Sequence, residues 1–173
     1  MASGISYYSE LVDDLKGDHR QLLAVYGNLV RAGQAHRAVV FRTVLQQFKS
    51  LLIAHLLKEA IKLYIYLRQK LRDDQSTYRL VTGYKSERDG ISRVAMAFVD
   101  KYSAKLAENI DFALLGIRLK EIGQVLDDRI RREKAELYPL TTTTKVQLSQ
   151  KCEVPQVNPS STLNHHVLAR LQP

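Results

Sequence analysis

Along most of the chain, apolar residues recur every three or four positions between short polar breaks, the period of an α-helix that buries one face. Leu11, Leu15, Leu22, Tyr26 and Leu29 form the first such stripe and predict a helix over about Ser6 to Arg31. A turn is expected at Ala32 to Ala35, where Gly33 interrupts the run. The second helix is expected from about His36 to Leu71, with Phe48, Leu52, Leu56, Leu63 and Tyr66 facing inward. It is long for a bundle helix, so a break or an extension is expected within it. The run RDDQS then supplies a stop, a turn and a new start. The third helix, about Thr77 to Tyr102, buries Tyr84, Ile91, Ala95 and Phe98. The fourth, about Glu108 to Tyr138, buries Phe112, Leu115, Leu119, Ile122, Leu126 and Leu137. Pro139 ends it, because a proline ring cannot continue the hydrogen-bond ladder.

Four amphipathic helices with short connections predict an all-α domain over residues 1–140, an antiparallel up-down-up-down four-helix bundle. Residues 141–173 are polar and aperiodic and are expected to be a flexible, disordered tail. Within it, Leu163 to Leu171 has the pattern of a short amphipathic helix, and the adjacent His165 and His166 read as solvated. The chain has no internal repeat, phosphate-binding glycine loop or nucleophile elbow.

Each predicted stripe is interrupted by a polar residue. His19 falls in the first, His55 and Glu59 in the second, Arg88 in the third, and Arg129 and Glu133 in the fourth. Counted from the turns at ~1.5 Å per residue, these positions return to one level of the bundle. A histidine and a glutamate four apart share a helix face, which suits a metal ion held between helices and equally suits a buried imidazole hydrogen-bonded to a carboxylate.

Charge and composition narrow the classes. The net charge is +8, of which the tail contributes +2 and the body +6. The body's charges interleave as on solvated helix faces, favouring an acidic or mixed-charge partner; no nucleic-acid-binding motif accompanies them. The single Cys152 excludes an internal disulfide and a cysteine-based zinc site, and no stretch approaches the ~20 apolar residues of a membrane span. The opening residues lack the pattern of a secretory signal, so a cytoplasmic protein is expected. Tyr64 and Tyr66 among Lys62, Arg68, Lys70 and Arg72 form a base-stacking pattern, but Tyr66 reads as core and Tyr64 as an amphipathic edge. His36 reads as a helix-end residue.

The pieces DHRQLL, HLLKEAIKLY, SERDGI and RIRREKAELYP resemble the hemerythrin-like HHE domain over about Leu11 to Pro139. That family binds a non-haem di-iron centre through histidines and carboxylates. The resemblance makes His19, His55, Glu59 and Glu133 match metal-ligand positions, while Arg88 and Arg129 stand where the family has histidine. A guanidinium has only donors and cannot ligate a metal. The expectation is therefore vestigial ligand positions, with Arg88 and Arg129 replacing the metal as counter-charges to Glu59 and Glu133. Both carboxylates would be held ionised in a layer complete without metal. RQLLAVYGNLV and EIGQVLDDRIRREK are also similar to the regulator of sigma D and AlgQ family of anti-sigma proteins. Together these resemblances imply a non-enzymatic bacterial regulator that binds a protein, a sigma factor or signalling protein, without a cofactor; the alternative is an iron-binding protein that senses or handles oxygen or iron through an incomplete site.

Overall fold

A computed structural model describes residues 3–104 and 109–142, with side chains in the first helix described from Ser9 onward. Four rods form the bundle. The first is α1, Ser3–Gln34. The second is α2, Ala38–Lys58, continued by a π-helical turn, Glu59–Leu63, into α3, Tyr64–Lys70. The third is α4, Gln75–Ala104. The fourth is α5, Phe112–Arg132, continued by a second π-helical turn, Glu133–Leu137, and a 3-10 turn, Tyr138–Thr141. The first rod packs on the second and fourth and the second on the third, while side-chain hydrogen bonds from Arg129 to Glu87 and from Tyr84 to Glu136 join the fourth and third and close the expected bundle.

Local chemistry explains the ends. Asp74 accepts from the backbone N–H groups of Ser76 and Thr77, both at 3.1 Å, and so caps α4. Asp111 accepts from Leu114 N–H at 3.0 Å and caps α5. The first turn falls later than its glycine suggested. α1 runs through Gly33 to Gln34, and it is His36 that takes the left-handed conformation, with φ 54°. Gly33 serves another purpose: a Cβ there would lie 3.1 Å from Leu119 Cδ1, so its bareness lets α1 approach α5. His36 stacks on Phe112 at 4.6 Å, and Phe112 is half-buried rather than core.

The expected break in the second helix is the π turn. One extra residue there sets the inward phase back by ~100°. The buried positions accordingly run His55, Glu59, Leu63, Leu67 and Leu71, each four apart. This reverses the expected roles of two tyrosines: Tyr64 is buried, while Tyr66 is half-buried and reaches the carbonyl of Thr141. Ahead of the turn, Leu56 is only half-buried, because the stripe enters the core through its neighbour His55.

Two apolar clusters make up the core. One includes Leu22, Leu52, Ile91 and Leu126; the other includes Leu15, Leu63, Tyr84 and Leu137. Between them lie His19, His55, Glu59, Arg129 and Glu133, all at most 5% exposed. Beyond Thr142 the expected tail, with Leu163, His165, His166 and Leu171, lies outside the described residues.

Candidate metal centre

Each rod contributes to the dividing layer through its own stripe. α1 places His19 four residues after Leu15 and three before Leu22, so its ring enters the interior. α2 delivers His55 one turn after Leu52, and the two π turns begin at Glu59 and Glu133. π-helical turns are rare and recur at functional sites.

The histidine side is compact. His19 Nε2 lies 3.1 Å from His55 Nε2 and 3.2 Å from Glu133 Oε2. One ligand atom from each of these three residues lies within 4.8 Å of the others. Glu59 Oε1 is 4.0 Å from His55 Nε2, and Tyr138 Oη is 3.5 Å from His19 Nε2. Behind His55, Asp18 Oδ2 stands 3.5 Å from Nδ1 and 2.8 Å from Lys58 Nζ. A carboxylate at Nδ1 favours the tautomer whose Nε2 lone pair faces inward. Burial, reinforced by His19, lowers His55 to about 4, so its imidazole is neutral at physiological pH.

On the arginine side, Arg129 donates from Nε to Glu133 Oε1, from Nη1 to Glu87 Oε2 at 3.0 Å and from Nη2 to the Tyr64 hydroxyl at 2.7 Å. Its guanidinium also lies over Tyr84, 4.7 Å from the ring centre. Burial opposes ionisation of Glu133, but His19, Arg129 and His55 together outweigh it and hold that carboxyl below the usual range. Arg129 thus pairs with Glu133 as expected.

Arg88 and Glu59 do not follow the same plan. Arg88 donates to Asp89 and lies over the Tyr64 ring at 5.2 Å, and its Nη1 is buried without a hydrogen bond. Burial, and then the charge of Glu133, push the Glu59 carboxyl well above the usual carboxylate range despite Arg129 and Arg88. Its surroundings therefore favour the protonated form of Glu59 over the ionised one, and neither arginine donates a hydrogen bond to it. Nor is the layer complete as it stands. His19 Nδ1 and Glu59 Oε1 are buried and make no hydrogen bond, while Glu133 Oε2 faces only His19 at 3.2 Å and His55 Nδ1 only Asp18 at 3.5 Å.

Asp18, Tyr64, Glu87 and Tyr138 were not legible as members of this layer. Asp18 and Glu87 precede stripe residues by one position and so point to its flank, while the π turns hide Tyr64 and Tyr138. The spacing of Arg129 and Arg132, which both reach Glu87, is a sequence signal for that acid.

The donor set decides what the layer can hold. Two imidazole nitrogens and carboxylate oxygen suit one divalent first-row transition metal ion. Two metal ions do not fit: the other side of the layer offers guanidiniums, which have no lone pair to give, and Arg129 occupies the second oxygen of Glu133. A cavity of about 40 Å³ bordered by His19, His55, Glu59, Arg88, Arg129 and Glu133 lies at the junction of the two sides.

A four-helix bundle with histidines and glutamates converging on one interior layer defines a class of helical metal-binding proteins. Within that class the chain belongs to the hemerythrin family: the family model of the hemerythrin HHE cation binding domain matches residues 10–141. No curated protein and no solved structure matches it significantly.

Proposed function

We propose that this chain is a non-enzymatic regulator of the HHE family that holds at most one divalent metal ion, in place of two irons, and acts by binding a protein partner. The observation that carries the reading is the division of Glu133: Oε2 faces His19 and Oε1 is bound by Arg129. His19, His55 and Glu133, with Glu59 beside them, are the residues that would hold the ion. Bound there, it would supply positive charge to the carboxylate oxygen that faces His19. Arg129 supplies the other charge permanently. The cavity, about 40 Å³, admits an ion with a water or two, whereas organic substrates occupy sites of roughly 300 Å³ and more. That contrast supports a role other than turnover. The basic balance, +8 over the chain, favours an acidic or mixed-charge protein as the partner, and the sigma factor implied by the anti-sigma resemblance is the first candidate to test.

Metal analysis of protein purified anaerobically with excess iron tests the reading. The expected result is no more than one ion per chain and no oxo-bridged absorption, with any bound ion lost in His55→Ala. Two irons per chain would overturn it.

A further inference from the structure

The π turn that aligns the buried stripe also straightens a stripe on the outside of the same rod. Ile53, Leu57, Ile61 and Ile65 follow one another at intervals of four, with exposures of 46, 55, 55 and 50%. On an uninterrupted α-helix such a row would wind by ~120° over its length, but the extra residue of the π turn reduces this to ~20°. The result is a nearly straight aliphatic ridge. Beside it run Lys58 and Lys62, with Arg68 one turn beyond Ile65. Across residues 38–71 the one acidic residue is Glu59, which is buried, so every formal charge this rod exposes is positive. Lys58 is paired with Asp18, whereas Lys62 and Arg68 have no ion pair among the described residues.

We infer that this ridge is the docking surface for an amphipathic helix of a protein partner, one whose apolar face is flanked by aspartates or glutamates. The inference deepens the protein-binding reading above and rests on it. Aliphatic side chains at i, i+4 spacing present the ridge that a facing helix packs against, and the basic flank selects the sign of the partner's rim. The same charge argues against the other occupants. A second copy would set Lys58 and Lys62 against their equivalents. The chain's own Leu163 to Leu171 segment contains Arg170 and no acidic residue.

The test uses the full chain and a synthetic helical peptide with leucine at every fourth position flanked by glutamates, beside a twin carrying lysines instead. The double variant L57E/I61E changes two half-exposed residues, and an unchanged circular dichroism melt checks that it folds. The expected result is binding of the acidic peptide, weakened by salt and reduced roughly tenfold or more in L57E/I61E, because the seam then holds uncompensated charge. The lysine twin should not bind. Equal binding of both peptides, undiminished binding by L57E/I61E, or no peptide binding would overturn the inference. So would dimerisation of the wild type, or its capture by phosphatidylserine vesicles, if either is abolished in L57E/I61E without peptide binding. A bacterial lysate pull-down separates the two levels. The same specific partner recovered with wild type and L57E/I61E removes the ridge and leaves the regulator reading, whereas no specific partner with either removes both.

Discussion

Arg129 and Arg88 look equivalent in sequence, each an arginine in a buried stripe, yet their surroundings give them different weights. Arg129 satisfies Glu133, Glu87 and Tyr64 at once, with its side chain 6% exposed. Removing it strands a buried carboxylate, so Arg129→Ala should cost about 3 to 5 kcal/mol in urea unfolding. Replacing the pair together, Arg129→Met with Glu133→Leu, should cost less than that single change. Arg88 instead pairs with Asp89, whose side chain is 38% exposed, and Arg88→Ala should cost only about 1 kcal/mol. Equal losses for the two single variants would contradict this division. The inward phase of all six polar residues was legible, because helical period alone sets it. Their pairing and protonation were not: Glu59 loses its proton with difficulty because of what surrounds it, and no spacing rule reports desolvation.

Among the elements, the π turns carry the most consequence. A constant 3.6 residues per turn makes no room for the extra residue within Glu59–Leu63, and so it misplaces Tyr64 and Tyr66. The expected stripe holds at Phe48, Leu52 and Leu63, whereas Leu56 is half-buried and, beyond the turn, Leu67 takes the core place expected of Tyr66. Deleting Ala60 removes the one extra residue, so it should convert the turn to regular α-helix while keeping Leu63, Leu67 and Leu71 in register. Each is now at most 1% exposed and should stay buried, so the loss in chemical denaturation should be less than the ~1.5–3 kcal/mol that exposing one leucine would cost. A loss of several kcal/mol would mean that the packing depends on the extra residue itself. Gly33 shows the same limit at a helix end. A glycine permits a turn, but close helix packing uses the same missing Cβ, and only the neighbouring helix distinguishes the two.

For the whole molecule, the boundary of the bundle is set by how the last turn is held. Thr141 is buried, and its carbonyl accepts from Lys70 Nζ at 2.7 Å and the Tyr66 hydroxyl at 3.2 Å. Tyr138, also buried, stacks beside His19 at 6.0 Å. A chain ending at Thr144 should therefore keep the melting temperature of the full chain, whereas one ending at Leu137 should melt lower. A large loss on truncation at Thr144 would place later residues in the core. Among the described residues no helix is long and apolar enough to cross a membrane.

Four amphipathic rods, their order and the level at which polar residues meet follow from local rules: helical period, turn chemistry and rise per residue act along the chain and can be counted along it. The hemerythrin-like pattern also lies in contiguous pieces, so it too was legible. Tertiary structure alone decided that Glu133 faces a histidine on one side and an arginine on the other, that Arg88 turns to Asp89, and that burial raises the Glu59 carboxyl above its usual range. Each of these is a competition among charges and solvation brought together by packing, and its outcome depends on distances across the bundle that the sequence does not contain.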